Sequence, residues 1–151
     1  MTWGNPPRFT PSPPRQGKRI TPKMLAASGS EDGEQAALFC WAADNVGAYP
    51  QLKWLFAIPN GGSRHIAEAT KMVAGGVRSG VPDIFLPVPF ISMVNRNYFG
   101  CFIEMKVGKN VQSKDQEEWF EYLTKAGYYC RVCYSWQKAS VTLISYLEGR
   151  V

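Results

Sequence analysis

The order of its predicted elements places this chain in the α/β class, with a central mixed four-stranded sheet flanked by helices. The 151 residues are 45% hydrophobic, which is enough for one packed domain. Segments that start on helix-capping residues and end on glycine are interspersed with strand-like runs. The resulting order is helix, strand, helix, strand, strand, helix, strand, helix, without an internal repeat. That order predicts one sheet with helices packed on it.

The first 30 residues differ from the rest in charge and proline content. They carry no acidic residue, and the remaining sequence holds 12 basic and 12 acidic residues, so the net charge of +5 comes from this segment alone. We therefore expect a disordered, basic, proline-rich tail over residues 1–30 and a folded domain over 31–151. Such a tail could hold nucleic acid through phosphate contacts or could be a solubilising leader. Its basic residues are Arg8, Arg15, Lys18, Arg19 and Lys23.

The first predicted helix begins between Ser30 and Gln35 and ends near Asn45. Asp32 is the expected capping residue, with Gln35 three positions later as in a capping box. The expected buried side carries Ala36, Phe39, Cys40 and Ala43. A break over residues 47–50 separates this helix from a first strand over residues 53–58.

Ser63 is the expected cap of a second helix, which carries apolar side chains at helical spacing and ends at Gly75 and Gly76. Those apolar residues are Ile66, Ala69 and Val73. A second strand over residues 83–88 and a loop over 89–97 follow. A third strand over residues 98–107 alternates cleanly, with Phe102, Glu104 and Lys106 on one face.

A third helix begins at Ser113, where Gln116 completes a second capping-box pattern, and Gly127 ends it. Its expected core face carries Trp119, Tyr122, Leu123 and Ala126. A fourth strand over residues 128–134 leads to a final helix that is capped by Ser135.

The candidate site combines Asp83 with Glu104 and Lys106. Alternation places Glu104 and Lys106 on the same face of a strand, about 7 Å apart. Asp83 begins a strand that should pair with theirs, and the backbone carbonyl of Met105 could add a further oxygen. Two carboxylates suit Mg²⁺ or Mn²⁺, and a lysine can orient a water or stabilise negative charge. The alternative is that Asp83 caps a turn and that Glu104 and Lys106 form an exposed ion pair.

The four cysteines are more consistent with buried thiols than with a metal site. Cys130 and Cys133 have zinc-ligand spacing, but they lie in a strand-like run, where an offset of three places them on opposite faces. Cys40 and Cys101 lie in apolar runs, and His65 is the single histidine. A small zinc-binding adaptor remains the alternative.

No apolar run approaches the roughly 20 residues that span a bilayer, and no signal-peptide-like segment opens the chain. We therefore expect no membrane association and a cytoplasmic location.

Three motifs together resemble the PD-(D/E)xK nuclease superfamily, and within it the VRR-NUC family. They are Gly80-Val81-Pro82-Asp83, Ile103-Glu104-Met105-Lys106 and Ser113-x-x-Gln116-x-x-Trp119. The resemblance covers about residues 31–149 and also includes Pro59-Asn60-Gly61-Gly62, Ala67, Lys71, Gly76 and Ser135-Trp136-x-x-Ala139. It implies a restriction-endonuclease-like core. The Val-Arg-Arg that names the family is not intact, since the corresponding strand reads Cys130-Arg131-Val132.

The resemblance also implies roles for matching residues. Asp83 and Glu104 would be metal ligands, and Lys106 would be the catalytic lysine. Glu34 would be the acidic residue of the first helix, as a further metal ligand or water organiser, unless it only serves the helix dipole. Gln116 would point back at the site, either as well as or instead of serving the capping box.

The implied activity is Mg²⁺- or Mn²⁺-dependent DNA cleavage. Small members of the family resemble homodimeric endonucleases that act on branched DNA such as four-way junctions, and the compact layout suits a phage protein acting in the host cytoplasm. Expected DNA contacts, besides the tail, are Arg64, Lys71, Arg78 and Lys109. Trp54 and Tyr98 are candidates for an apolar dimer interface. A catalytically silent DNA-binding module on the same fold is the alternative.

Overall fold

A central sheet of four strands, order β1-β2-β3-β4, organises the molecule. The computed structural model describes residues 19–59, 66–91 and 97–151. The strands are β1 (Phe56–Ala57), β2 (Ile84–Leu86), β3 (Cys101–Met105) and β4 (Tyr129–Cys133). β1, β2 and β3 pair antiparallel, whereas β4 runs parallel to β3. The predicted mixed four-stranded sheet is therefore confirmed.

Five helices surround this sheet in the described part of the chain. They are α1 (Pro22–Ala26), α2 (Glu31–Asn45), α3 (Ile66–Ala74), α4 (Lys114–Lys125) and α5 (Trp136–Leu147). A 3₁₀-helix, Pro50–Trp54, precedes β1. The prolyl ring of Pro50 fixes φ for the first turn of that helix, and this explains why the predicted first strand is shortened to two residues.

The core has two parts, one on each face of the sheet. The larger part joins α2 and α5 to the sheet through residues such as Leu38, Ile103 and Leu143. The smaller part joins the α4 side through Phe102, Leu123 and Cys130. Because side chains alternate along β3, this strand contributes residues to both parts of the core, as the sequence predicts.

The cap of α2, which is the first helix that the sequence predicts, differs from the expectation. The hydroxyl of Ser30, not the carboxylate of Asp32, accepts a hydrogen bond from the amide of Gly33 at 3.0 Å. The buried residues of α2 are Ala37, Leu38 and Ala42, whereas Ala36 and Ala43 are exposed. The helix is thus rotated by about one residue relative to the predicted face.

The boundary predicted for the disordered tail, at residue 30, is wrong for the last part of that range. Pro22–Ala26 forms α1, which Thr21 caps and which packs along α2. Arg19, just before this helix, pairs with Asp44 at 2.7 Å. We call residues 19–29 the strap. Residues 1–18, 60–65 and 92–96, including the predicted cap Ser63, lie outside the described residues.

Glycine is required where the strap crosses α2. A Cβ built on Gly33 would lie 2.8 Å from the backbone carbonyl oxygen of Leu25 and 2.3 Å from the hydroxyl of Ser28. Neither distance is tolerated by a real side chain, so the close approach of the strap depends on this glycine.

The four thiols are free of disulfides, and Cys130 and Cys133 belong to opposite sides of the sheet. Burial raises the pKa of the Cys101, Cys130 and Cys133 thiols. In the described residues no group of three or more histidine, cysteine or acidic side chains could hold a metal ion. Within the same ranges, no helix has the length and apolar character needed to cross a bilayer.

Two apolar expectations need correction. Tyr122, predicted as core, is 64% exposed. Tyr98, predicted as an interface residue, packs against the larger core beside Tyr129 and Tyr146. Trp54 is 42% exposed and stays available at the surface.

Candidate active site

The end of β3 carries the most unusual side chain of the molecule. Glu104 is a carboxylate with no exposed surface. One of its oxygens, Oε1, accepts a hydrogen bond from Lys106 Nζ at 2.8 Å and another from Gln116 Nε2. The other oxygen, Oε2, is buried and has no hydrogen-bond partner among the described residues. A buried acceptor of this kind is costly unless something else binds it.

Asp83 lies on the neighbouring strand, beside Glu104. β2 pairs with β3 so that Ile84 faces Ile103, and the residue before Ile84 therefore lies level with Glu104. Asp83 Oδ2 accepts a hydrogen bond from the amide of Met105 at 2.9 Å. The pairing of β2 and β3 thus brings the two predicted metal ligands together, as expected. The amide of Met105 is used here, and the role of its carbonyl as a ligand stays a prediction.

The pKa values reflect this crowding. Burial, with a smaller contribution from the charge of Asp83, raises the pKa of Glu104 to about 7 in spite of the lowering effect of the Lys106 hydrogen bond. For Lys106, burial lowers the pKa, but the hydrogen bond and charge of Glu104 outweigh it and the net direction is upward. Lys106 is accordingly a buried ammonium held by a carboxylate, not the exposed pair of the alternative interpretation.

A cleft of about 410 Å³ opens over these side chains. It is bounded by the first turns of α2 and α4, by α3 and by the turn that precedes Asp83. Its polar lining residues are Glu31, Asp32, Ser79, Asp83, Glu104, Lys106, Ser113 and Gln116.

The acidic residues with which α2 lines the cleft are Glu31 and Asp32, and Glu34 is not among them. Glu31 Oε2 lies 3.8 Å from Lys106 Nζ, and its Oε1 accepts a hydrogen bond from Asn110 Nδ2 at 3.0 Å. Glu34 instead accepts a hydrogen bond from the amide of Trp136 at 2.6 Å, at the start of α5, which Ser135 caps. Glu31 and Glu34 are three positions apart on one helix, so the sequence pattern did not tell them apart.

Gln116 performs both of its predicted tasks. Its Oε1 accepts the amide hydrogen of Ser113 at 2.8 Å, while Ser113 Oγ accepts the amide hydrogen of Gln116, completing the capping box. Its Nε2 donates to Glu104. The side chain of Gln116 therefore satisfies the backbone N–H of Ser113 at the start of α4 and also fixes the orientation of the buried Glu104 carboxylate.

None of the predicted DNA-contacting cations that the structure describes lines the cleft. Lys71 on α3, Arg78 just beyond it, and Lys109 after β3 are all exposed. In the strap, Lys23 is exposed, whereas Arg19 is engaged by Asp44. Arg8, Arg15, Lys18 and Arg64 lie outside the described residues.

The donor set fits a hard divalent cation. Asp83 and Glu104 provide carboxylate oxygens at one wall of the cleft. Glu104 Oε2 is a buried acceptor without a hydrogen-bond partner among the described residues. Mg²⁺ is often held by only one or two protein carboxylates together with waters. Asp83 and Glu104 would hold such an ion.

The mixed four-stranded sheet brings an aspartate, a buried glutamate and a lysine from adjacent strands to one cleft. This arrangement is that of a nuclease-type domain of the PD-(D/E)xK class. The chain belongs to the VRR-NUC domain family, whose sequence profile matches residues 30–137. A solved structure described as a VRR_NUC domain protein has the same fold, with a TM-score of 0.62 at 24% identity over 78% of this chain and 88% of that one. No curated protein matches the chain significantly in sequence.

Proposed function

We propose that this protein is a DNA endonuclease that hydrolyses phosphodiester bonds with Mg²⁺ or Mn²⁺ and prefers branched DNA. The observation that carries the proposal is Glu104, which is fully buried and held at one oxygen by Lys106 and Gln116 while its other oxygen lacks a partner. A protein that only binds DNA has no use for so costly an arrangement. Membership of the VRR-NUC family supports the same class of activity.

The residues of the cleft divide the work of hydrolysis. A bound divalent ion supplies charge neutralisation on the phosphoryl oxygens and lowers the pKa of water. Asp83 and Glu104 would hold that ion, and Gln116 fixes the orientation of Glu104. Lys106 places an ammonium at the same wall, where it can orient the attacking water or stabilise the negative charge that develops. Glu31 helps to hold Lys106 in position.

The finer substrate preference rests on the family resemblance. A two-fold dimer would present two cleavage sites to a symmetric four-way junction. The exposed cations Lys71, Arg78 and Lys109, together with the basic tail, would supply phosphate contacts.

The test is a cleavage panel of four-way junctions, flaps, single strands and plain duplex, each with Mg²⁺, Mn²⁺ or excess EDTA. Asp83→Asn and Lys106→Met serve as matched variants, because each preserves the size of the side chain. We expect cleavage only with metal, and a loss of at least ~100-fold in both variants, with circular dichroism showing an intact fold. Turnover in EDTA, or rates near wild type in both variants, would contradict the proposal.

A further inference from the structure

A second groove lies next to the catalytic cleft and shares Ser79 with it. Its volume is about 480 Å³. All of its other lining residues belong to α4: Asp115, Glu118, Trp119 and Tyr122. Spacings of three, four and seven return to one side of a helix, so these residues form one stripe, while Gln116 faces the cleft. We call this surface the α4 groove.

The floor of the α4 groove is aromatic and held in place. Trp119 is half-buried, and its indole N–H donates to the carbonyl of Ser79 at 3.0 Å. Tyr122 meets the tryptophan edge to face, with ring centres 6.3 Å apart, yet remains 64% exposed. A fixed tryptophan therefore presents an exposed tyrosine ring for contact with a flat ligand.

The charges of the groove select against a phosphate. Asp115 and Glu118 have no ion-pair partner within the described ranges. Two carboxylates in an open groove repel the backbone of DNA, but they can accept hydrogen bonds from the amino groups of a neutral base. The groove thus combines a stacking surface with acceptors.

Its distance from the site matches a neighbouring nucleotide. Tyr122 lies six residues beyond Gln116, which is about 9 Å along the helix axis. A strand whose phosphate lies over Glu104 can therefore place the base of a nearby nucleotide in the groove. A paired base hides its faces in the stack, so only an unpaired base can enter.

We propose that the α4 groove is a subsite for an unpaired nucleobase of the DNA substrate, stacked on Tyr122 near the scissile phosphate. The inference rests on the proposed nuclease function and gives it a substrate feature. It provides a physical reason to prefer junctions and flaps, whose strands leave the duplex close to the point of cleavage, over continuous duplex.

Binding and stacking can be measured without turnover. Fork substrates carry 2-aminopurine at each of the first unpaired positions in turn, and titrations with the full chain are performed in Ca²⁺ in place of Mg²⁺. We expect quenching at one or two positions, because stacking on an aromatic ring reduces 2-aminopurine emission. Tyr122→Ala should abolish that quenching and weaken fork binding by roughly five- to a hundred-fold. Tyr122→Phe keeps the ring and should retain both, and Val141→Ala, on an exposed position of α5, is the matched control.

Two results would overturn the subsite. One is equal fork affinity and equal quenching for wild type and Tyr122→Ala, even if the wild type cleaves forks normally. The other is equal DNA binding by wild type and Tyr122→Ala, together with a lysine-rich peptide that binds wild type and not Tyr122→Ala. That result would make the groove a docking surface for a basic peptide. Because the nuclease proposal is tested by metal-dependent cleavage and the subsite by quenching, the two can fail separately.

A charge variant tests the part played by the acids. Glu118→Lys replaces a repelling group by an attracting one, so plain duplex should bind more tightly and the preference for forks should shrink several-fold. Unchanged discrimination between fork and duplex would show that the carboxylates do not contribute to selection.

Discussion

At the scale of single residues, the burial of Glu104 controls both the stability of the site and its response to pH. The folded protein without metal holds a proton on this side chain up to a pH of about 7, whereas an ordinary glutamate releases it near 4.5. Between those values the folded state binds more protons than the unfolded state. The contribution of Glu104 to the free energy of unfolding therefore falls as the pH rises through this window and levels off above it.

Metal should reverse that trend, which gives a prediction on the pH dependence. A cation competes with the proton for Glu104, so we expect Mg²⁺ to raise the melting temperature more at pH 8 than at pH 6. The measurement is thermal unfolding across pH, with EDTA and with Mg²⁺. Glu104→Gln is the control and should remove most of the difference. A metal effect of equal size at both pH values would argue against Glu104 as a ligand.

The two carboxylates of α2 offer a matched pair of substitutions. Glu31→Ala removes a contact with Lys106, so we expect slower cleavage with little loss of stability. Glu34→Ala removes the acceptor of the Trp136 amide at the start of α5, so we expect a loss of about 1 kcal/mol in unfolding free energy and a smaller effect on the rate. Chemical denaturation and cleavage rates on one substrate separate the two. The reverse pattern would restore Glu34 to the catalytic role that the sequence suggested.

At the scale of elements, the strap is the feature that the sequence did not predict. None of the residues of α1 is buried, so its position depends on its packing along α2, where it approaches Gly33, and on the pairing of Arg19 with Asp44. An exposed ion pair contributes little, so the packing along α2 must dominate.

Gly33→Ala should loosen the strap. Alanine favours the helix by up to about 1 kcal/mol, but its Cβ meets a backbone oxygen that cannot turn away. We expect faster trypsin cleavage after Lys23, with the bulk of the fold unchanged. Gly47→Ala is the control, since a Cβ there would meet nothing within 4 Å. Equal protection in both variants would show that the strap is held by other contacts.

The errors of sequence interpretation have physical causes that recur at this scale. Capping and alternation are local signals, and they located α4, α5 and β3 correctly because neighbouring residues decide them. The buried face of α2 depends on how the helix rolls against α5 and the strap, which no local pattern records. The choice between Glu31 and Glu34 follows from the same rotation. Asp83, Glu104, Lys106 and Gln116 could be located because they form motifs that the family resemblance supports.

At the scale of the whole molecule, the distribution of charge and exposed apolar surface bears on assembly. The net charge of +5 arises within residues 1–30, so the remainder presents a balanced surface to DNA and to other copies of the chain. Trp54 is an exposed tryptophan beside the edge strand β1. Large aromatic residues at such positions are typical of interface cores.

We expect a dimer in solution, which light scattering at micromolar concentration will detect, and faster cleavage of four-way junctions than of plain duplex. Trp54→Ala should weaken the dimer and reduce coordinated cleavage of the two junction strands before it affects cleavage of a flap. A strict monomer that cuts duplex as fast as junctions would leave a general nuclease and remove the junction-specific part of the proposal.

The double duty of Gln116 has a consequence for the chain during its synthesis. Asp83, Glu104 and Lys106 leave the ribosome before the helix whose first turn orients Glu104, and before β4, whose Cys133 carbonyl receives the amide hydrogen of Lys106 at 2.9 Å. A nascent chain that ends before these elements holds the chemical groups without their alignment. The proposed nuclease activity is thus acquired only when α4 and β4 have been made and have folded, so a partly synthesised chain does not carry a working active centre.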